Sequence, residues 1–281
     1  MSNEVGSHKT AQMRPEEDWR GKVCKTDLMD RGTDPLILTY HSISRSRPPL
    51  ATPPSLFSEQ MEWLAAHTRV MPLSELVDAL ARRQVISPKS VVLTFDDALL
   101  DFYCQAAPVL RRLGLPATVF VPTGHCGRTT RWATQLSSAE EWPLMSWQQL
   151  REVAEQGFIL GAHSVSHPML TKITPEAALR EIADSKAELE TRISKPVEFF
   201  CYPYGLWNFG VREMVQSHYR AACSTTTGVV SRDADLLVLP RVDVYYLRSA
   251  KMFQSLFSRR MIPYLRLCRM LRRIRGYGRA A

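Results

Sequence analysis

Short runs of β-branched and aromatic residues alternate along this chain with longer segments whose apolar residues recur at helical spacing. Extended runs are expected at 35–40, 90–95, 117–121, 158–161, 199–202, 220–224 and 238–246. Helices are expected at 55–68, 73–81, 99–113, 146–155, 174–193 and 211–218. A strand followed by a helix, repeated at least six times, predicts a parallel α/β fold. The periodicity alone fits both a doubly wound sheet and a barrel.

The sequence contains no segment that indicates a second domain or a membrane-spanning helix. Of its 281 residues, 45% are hydrophobic and 23% are charged, which is typical of a folded globular protein. No apolar run reaches the roughly 20 residues that a spanning helix needs. Residues 1–34 are polar and lack the apolar core of a signal peptide, so we expect a poorly ordered leader and a cytoplasmic protein. The main domain is expected to cover 35–258.

The net charge of +8 is concentrated in residues 259–281, which contain eight arginines and no acidic residue. The rest of the chain balances its 28 acidic residues with the remaining basic ones and is formally neutral. A neutral main domain argues against nucleic acid as a partner.

Helical spacing in this basic tail predicts an amphipathic helix. One face carries apolar residues, namely Tyr264, Leu267, Cys268, Leu271 and Ile274. Another face carries Arg266, Arg269 and Arg273. Such a helix could lie on the inner face of an anionic membrane, pack on the domain with its arginines in solvent, or bind an acidic partner.

Polar residues that are suited to catalysis follow several of the predicted strands. Asp96 and Asp97 come directly after the strand that ends at Phe95, and His163 and His167 follow the strand near residue 161. His41 closes the first strand. Because parallel strands bring their carboxyl ends to one edge, we expect these side chains to lie close together.

The residue types at this edge favour a metal centre. Two adjacent carboxylates repel each other unless a cation or a shared proton offsets their charge. Two imidazoles and one carboxylate are a common ligand set for Zn²⁺, and three protein ligands leave room for water and substrate. The His163-x-x-x-His167 spacing places both rings on one side if the segment makes a helical turn. Each element has a structural alternative, such as a helix-capping Asp or a hydrogen-bonded core histidine.

Three segments together resemble a known family. Residues 92–97 (VLTFDD), 161–168 (GAHSVSHP) and 200–205 (FCYPYG) are similar to the first three motifs of the polysaccharide deacetylases, the NodB-homology carbohydrate esterases. The similarity runs from about residue 36 to about residue 244. It implies a distorted (β/α) barrel of about seven strands that hydrolyses N-acetyl groups on N-acetylglucosamine-type polymers. It also implies a divalent metal, with Zn²⁺ expected and Co²⁺ or Ni²⁺ as alternatives.

The resemblance also implies roles for individual residues. Asp97, His163 and His167 correspond to the metal ligands, and Asp96 corresponds to the general base that accepts a proton from the attacking water. The backbone N–H of Tyr204 corresponds to the donor that binds the oxyanion.

Three positions depart from the family pattern. Ala98 replaces the usual glycine, which we expect to require only an ordinary φ. Cys201 stands where an arginine usually orients the base, and Leu239-Pro240-Arg241 lacks the usual acid histidine. These departures resemble the branch that deacetylates secreted or lipid-linked exopolysaccharide. In that branch His41 is the expected substitute acid, and Arg241 is expected to replace the missing arginine.

Two other functions remain open from the residues. The chain could be an esterase that removes O-acetyl groups, or a catalytically silent glycan-binding protein. The expected partner in each case is an acetylated polysaccharide or a polyprenyl-linked oligosaccharide. Trp132 and Trp207 are candidates for stacking on sugar rings, and His125 is expected to have no ligand role.

Overall fold

The computed structural model describes residues 34–46, 50–132 and 141–274. Its strands are β1 (Leu36–Tyr40), β2 (Arg69–Val70), β3 (Ser90–Phe95), β4 (Thr118–Val121), β5 (Ile159–Ala162), β6 (Phe199–Cys201), β7 (Ala221–Thr227) and β8 (Leu239–Asp243). Its α-helices are α1 (Pro54–His67), α2 (Leu73–Ala81), α3 (Ala107–Leu113), α4 (Trp147–Glu155), α5 (Pro175–Ile193), α6 (Phe209–Gln216), α7 (Ala250–Gln254) and α8 (Met261–Ile274). A π-helical turn, Phe102–Ala106, leads into α3. The predicted leader up to residue 33 and the tail beyond residue 274 lie outside the described residues.

Seven of the strands form a closed parallel barrel. β1 pairs with β3 on one side and with β8 on the other, and the remaining strands follow in the order β4, β5, β6, β7 between them. β2 adds a two-residue pairing beside the start of β3 and was not predicted from the sequence. The predicted barrel of about seven strands with flanking helices is therefore confirmed.

The side-chain alternation of the strands divides the core into an inner and an outer part. The inner cluster contains residues near the strand starts, such as Ile37, Val92 and Leu239, and joins them to Leu76 and Val77 of α2. α2 therefore closes the N-terminal end of the barrel. The outer cluster packs the opposite faces of the strands against most of the remaining helices.

The C-terminal half of the barrel interior is polar. The two-residue period that points Ile37 and Val92 inward also points Thr39 and Thr94 inward, and their hydroxyl oxygens lie 3.3 Å apart. One more period along β3 brings Asp96 to the open end of the barrel. A buried polar layer beneath the open end thus separates the inner apolar cluster from the candidate site.

The basic tail forms α8, which packs on the barrel. Met261, Leu265 and Cys268 are buried, and the first two belong to the outer core cluster. Leu267 and Leu271 are exposed, so the apolar face predicted from helical spacing is divided between the protein and solvent. Within 34–46, 50–132 and 141–274, every helix is too short or too polar to cross a bilayer.

Candidate metal centre and active site

A tight turn after β3 presents the two aspartates in different directions. Asp96 continues the strand, and its backbone N–H donates to the Tyr40 carbonyl at 3.0 Å. Asp97 and Ala98 then adopt left-handed φ values of 70° and 51°. The expectation of an ordinary φ at Ala98 is therefore wrong, and the alanine occupies a conformation that costs on the order of 1 kcal/mol relative to glycine.

Asp97, His163 and His167 converge on one point. Oδ1 of Asp97 lies 3.6 Å from Nε2 of His163 and 3.5 Å from Nε2 of His167. The two Nε2 atoms are 3.2 Å apart, and all three side chains are buried. Oδ1 of Asp97 is buried and has no hydrogen-bond partner in the described chain. A divalent cation would satisfy this oxygen and both nitrogens, so the three side chains fit a metal site.

The orientation of His163 suits a metal ligand. Its Nδ1 lies 2.7 Å from the carbonyl oxygen of Cys201, a contact in which Nδ1–H donates. With the proton held on Nδ1, Nε2 keeps a lone pair that points toward Asp97. Metal-binding histidines are usually held in this way by a hydrogen bond to the second ring nitrogen.

Two aromatic rings pack against His167. Trp132 stacks on its ring with centroids 4.4 Å apart, and the Tyr204 ring meets it edge-on at 4.7 Å. Burial lowers the pKa of His167 well below its ordinary value, and the neighbouring His163 lowers it further. A neutral imidazole is the form that binds a metal ion. Trp132, predicted as a possible sugar platform, is thus mostly buried against His167.

The segment between the two histidines is not helical. Ser164 and His167 have left-handed φ values of 63° and 56°, and the Ser164 hydroxyl accepts from the His167 N–H at 3.0 Å. Glu181 of α5 accepts from the backbone N–H groups of Val165 and Ser166 at 2.8 Å each, and from the Ser166 hydroxyl at 2.6 Å. Glu181 was missed from the sequence because an acidic residue on a helix gives no sign of a loop that it contacts in space.

Asp96 is paired with Arg241 inside the barrel. Nη1 and Nη2 of the guanidinium donate to Oδ1 and Oδ2 of Asp96, each at 2.7 Å. Nε donates to the Ser224 carbonyl at 2.9 Å, and Nη1 also lies 3.2 Å from the Thr94 hydroxyl. Burial by itself raises the pKa of Asp96, but the charge and hydrogen bonds of Arg241 outweigh it and hold this pKa far below its usual range.

The surroundings of the two adjacent carboxyl groups shift their pKa values in opposite directions. Burial raises the pKa of Asp97, and the charge of Asp96 adds to that effect, whereas His163 opposes it. Asp97 is therefore the carboxyl group that needs a cation, and Asp96 already has one in Arg241. A second grouping of potential ligands, Asp96 with His163 and Cys201, is less suited to a metal because burial raises the pKa of the Cys201 thiol and Arg241 occupies Asp96.

His41 and Tyr204 complete the rim of the site. Nε2 of His41 lies 3.8 Å from Oδ2 of Asp96, and the His41 side chain is partly exposed. Tyr204 has a left-handed φ of 58° in the turn Pro203–Gly205, and its carbonyl accepts from the Thr225 hydroxyl at 3.3 Å.

The structure thus brings the seven predicted site residues together, while the roles of His41 as acid and of the Tyr204 N–H as oxyanion donor stay predictions. His125 touches Trp132 and belongs to neither ligand grouping in the described residues.

A parallel barrel with an Asp-His-His cluster and a second carboxylate at its open end is typical of metal-dependent hydrolases. Residues 83–221 match the family described as polysaccharide deacetylase. This match over residues 83–221 confirms the resemblance to the polysaccharide deacetylases that the three motifs predicted.

Known proteins resemble this chain over most of the barrel. YxkH of Bacillus subtilis (strain 168) is 29% identical over 241 residues, which cover 84% of this chain and 79% of that protein. The poly-β-1,6-N-acetyl-D-glucosamine N-deacetylase of Staphylococcus epidermidis is 27% identical over 197 residues, 66% of this chain and 65% of that one. The Streptococcus pyogenes deacetylase PplD, solved in complex with acetate, superimposes with a TM-score of 0.65 and 28% identity, covering 75% of this chain and 92% of that one.

Proposed function

We propose that this protein is a metal-dependent hydrolase that removes N-acetyl groups from N-acetylglucosamine units of an exopolysaccharide. The observation that carries the proposal is the convergence of Asp97, His163 and His167 around an unpartnered carboxylate oxygen, with the Arg241-bound Asp96 beside them. The name of the similar Staphylococcus epidermidis enzyme supports an amino-sugar polymer as the substrate class.

Asp97, His163 and His167 would hold the cation, and Zn²⁺ suits this ligand set best, with Co²⁺ or Ni²⁺ as alternatives. When bound, a divalent cation polarises a carbonyl and lowers the pKa of water toward about 7. The hydrogen bond from His163 to the Cys201 carbonyl and the rings around His167 keep both Nε2 atoms directed at that position.

Asp96 is the group that we propose to accept the proton of an attacking water. The paired guanidinium of Arg241 keeps this carboxylate ionised and fixes its plane, at the cost of some basicity. His41, on the other side of Asp96, is the group that we propose to protonate the leaving amine. The Tyr204 N–H is the proposed donor to the oxyanion, and the left-handed turn around it supplies rigidity.

The substrate within this class is proposed from the branch that the sequence resembles. An acetylated exopolysaccharide or a polyprenyl-linked oligosaccharide would present N-acetyl groups to the open end of the barrel. We propose the inner face of the cell membrane as the place where such a glycan would be met.

A second candidate function is O-acetyl ester hydrolysis. The specific observation is that Arg241, which pairs with Asp96, occupies the region where the family usually supplies an acid histidine. An alcohol leaving group needs less protonation than an amine, so the same site without that histidine would still cleave an ester.

Acetate release from purified protein distinguishes these candidates. The protein is stripped with a chelator, reloaded with Zn²⁺, Co²⁺ or Ni²⁺, and offered β-linked N-acetylglucosamine oligomers beside O-acetylated sugars. We expect release from the N-acetylated oligomers that requires metal and falls at least about 100-fold in Asp96→Asn. Release only from the O-acetylated sugars would favour the esterase, and release that survives both chelation and Asp96→Asn would refute the mechanism.

A further inference from the structure

We propose that α8 (Met261–Ile274) docks the protein on anionic lipid through an exposed apolar face. This face consists of Leu267, Met270 and Leu271, three residues that helical spacing places next to one another. The proposal does not depend on the chemistry of the barrel.

The apolar face stands out from the rest of the surface. Large hydrophobic side chains of the described residues are exposed at eight positions, and three of these fall within 267–271. Leu267 is 48% exposed, Met270 51% and Leu271 41%. Single exposed apolar residues are ordinary, but a cluster on one helix face is typical of a surface that meets a partner or a membrane.

An adjoining side of α8 anchors it to the protein. Met261, Leu265 and Cys268 are buried, and the Tyr264 hydroxyl donates to the Tyr246 carbonyl at 2.9 Å. These buried contacts therefore stabilise the helix independently of its exposed face. Because one side is used for packing, Leu267, Met270 and Leu271 project from a fixed support.

The positive charge around this face favours an anionic membrane as its partner. Residues 259–281 contain eight arginines and no acidic residue, and Arg259, Arg260, Arg266 and Arg269 are exposed. Exposed apolar residues flanked by arginines match the boundary between acyl chains and anionic headgroups. A second copy of this chain would bring two arginine-rich helices together, and that repulsion disfavours a dimer through the same face.

The first turn of α8 is fixed against the barrel. Met261 lines a small cavity with Leu36 of β1, and the Tyr264 hydroxyl contacts Tyr246, which follows β8. The docking face begins just beyond these contacts, at Leu267.

Vesicle sedimentation with the full-length chain tests the proposal. Wild type is compared with the triple variant Leu267→Gln, Met270→Gln and Leu271→Gln, since glutamine is polar and favours helices. The matched control is Val85→Gln, because Val85 is 88% exposed at a site away from the tail. Truncation is avoided because Met261 and Leu265 belong to the core.

We expect wild type and Val85→Gln to bind vesicles of phosphatidylcholine with phosphatidylglycerol, and to bind pure phosphatidylcholine at least about tenfold less. The triple variant should lose about tenfold or more in partitioning onto the anionic vesicles while its thermal unfolding is unchanged. Equal binding by the triple variant and wild type would overturn the proposal. So would absence of wild-type binding to the anionic vesicles, or a triple variant that differs from wild type in oligomeric mass or in binding to polyglutamate instead.

Discussion

Arg241 reaches across the inside of the barrel from β8 and binds both carboxylate oxygens of Asp96, with two N–O distances of 2.7 Å. Both side chains are buried, so bulk water solvates neither charge well and each depends on the other. The guanidinium comes from a different strand than Cys201, the position where the family usually carries its arginine, and Nη2 lies 3.1 Å from the Cys201 sulfur. The interior of the barrel lets one strand supply a charge that another strand lacks.

Replacing Arg241 with methionine should lower both activity and stability. The change leaves the Asp96 carboxylate buried without its partner, and breaking such a pair costs about 3–5 kcal/mol. Urea unfolding and acetate release measure the two effects. Arg212→Met is the matched control, because Arg212 also binds Asp235 through two nitrogens but at the surface, where such a pair contributes about 1 kcal/mol or less. Equal losses of stability in the two variants would contradict the importance of burial.

Asp97→Asn should abolish stabilisation by metal without destabilising the metal-free protein. Burial raises the pKa of Asp97, so its ionised form is disfavoured until a cation is present, and asparagine tolerates the left-handed backbone there. Wild type should gain about 2.7 kcal/mol when metal is at 100 times its dissociation constant. Thermal unfolding with and without Co²⁺ or Zn²⁺ measures this gain.

Asp96→Asn is the control for that experiment. Asp96 is adjacent in sequence but is bound to Arg241, so this variant should keep a metal-induced rise in melting temperature while losing turnover. A metal response that disappears in Asp96→Asn and persists in Asp97→Asn would reverse the assignment of the two residues.

Glu181→Gln should weaken metal binding although Glu181 is not a proposed ligand. Its carboxylate accepts three hydrogen bonds from Val165 and Ser166, and an amide oxygen cannot accept all three equally well. Loss of such support for metal ligands typically costs about 10- to 100-fold in affinity. Competition with a chromophoric chelator measures the affinity. Glu188→Gln on the same helix, where Glu188 forms an exposed pair with Arg192, should leave it unchanged.

Gly205→Ala should destabilise the protein more than Gly114→Ala. Both glycines have left-handed φ, 69° and 66°, but a Cβ at Gly205 would lie 2.0 Å from the Thr225 hydroxyl, whereas Gly114 has nothing within 4 Å. The steric part should add about 1–3 kcal/mol in urea unfolding. Thr225→Gly added to Gly205→Ala should recover most of that difference in a double-mutant cycle, because alanine at 225 would still leave its Cβ 2.5 Å from the added Cβ. An absence of coupling between the two substitutions would show that the clash is not the cause.

Several features of the fold and site were predictable because they depend on local periodicity. The strands β1 and β3 to β8 coincide with the predicted extended runs. The candidate ligands come directly after the ends of β3 and β5. β2 escaped prediction because two residues, Arg69 and Val70, are too few to show a period. The same limit applies to the loop after β5, where the two left-handed residues Ser164 and His167 bring the histidine rings together without a helical turn.

The sequence by itself determined which residues stand at strand ends and which faces of the strands are apolar, because both follow from the two-residue period of an extended chain. Only the tertiary structure decided that Arg241 meets Asp96, that Glu181 binds the loop at Val165, and that α8 divides its apolar residues between core and surface. These contacts join residues that closure of the barrel and packing of the helices bring together. No local pattern encodes them, because their free energy depends on which partners burial and hydrogen bonding leave available.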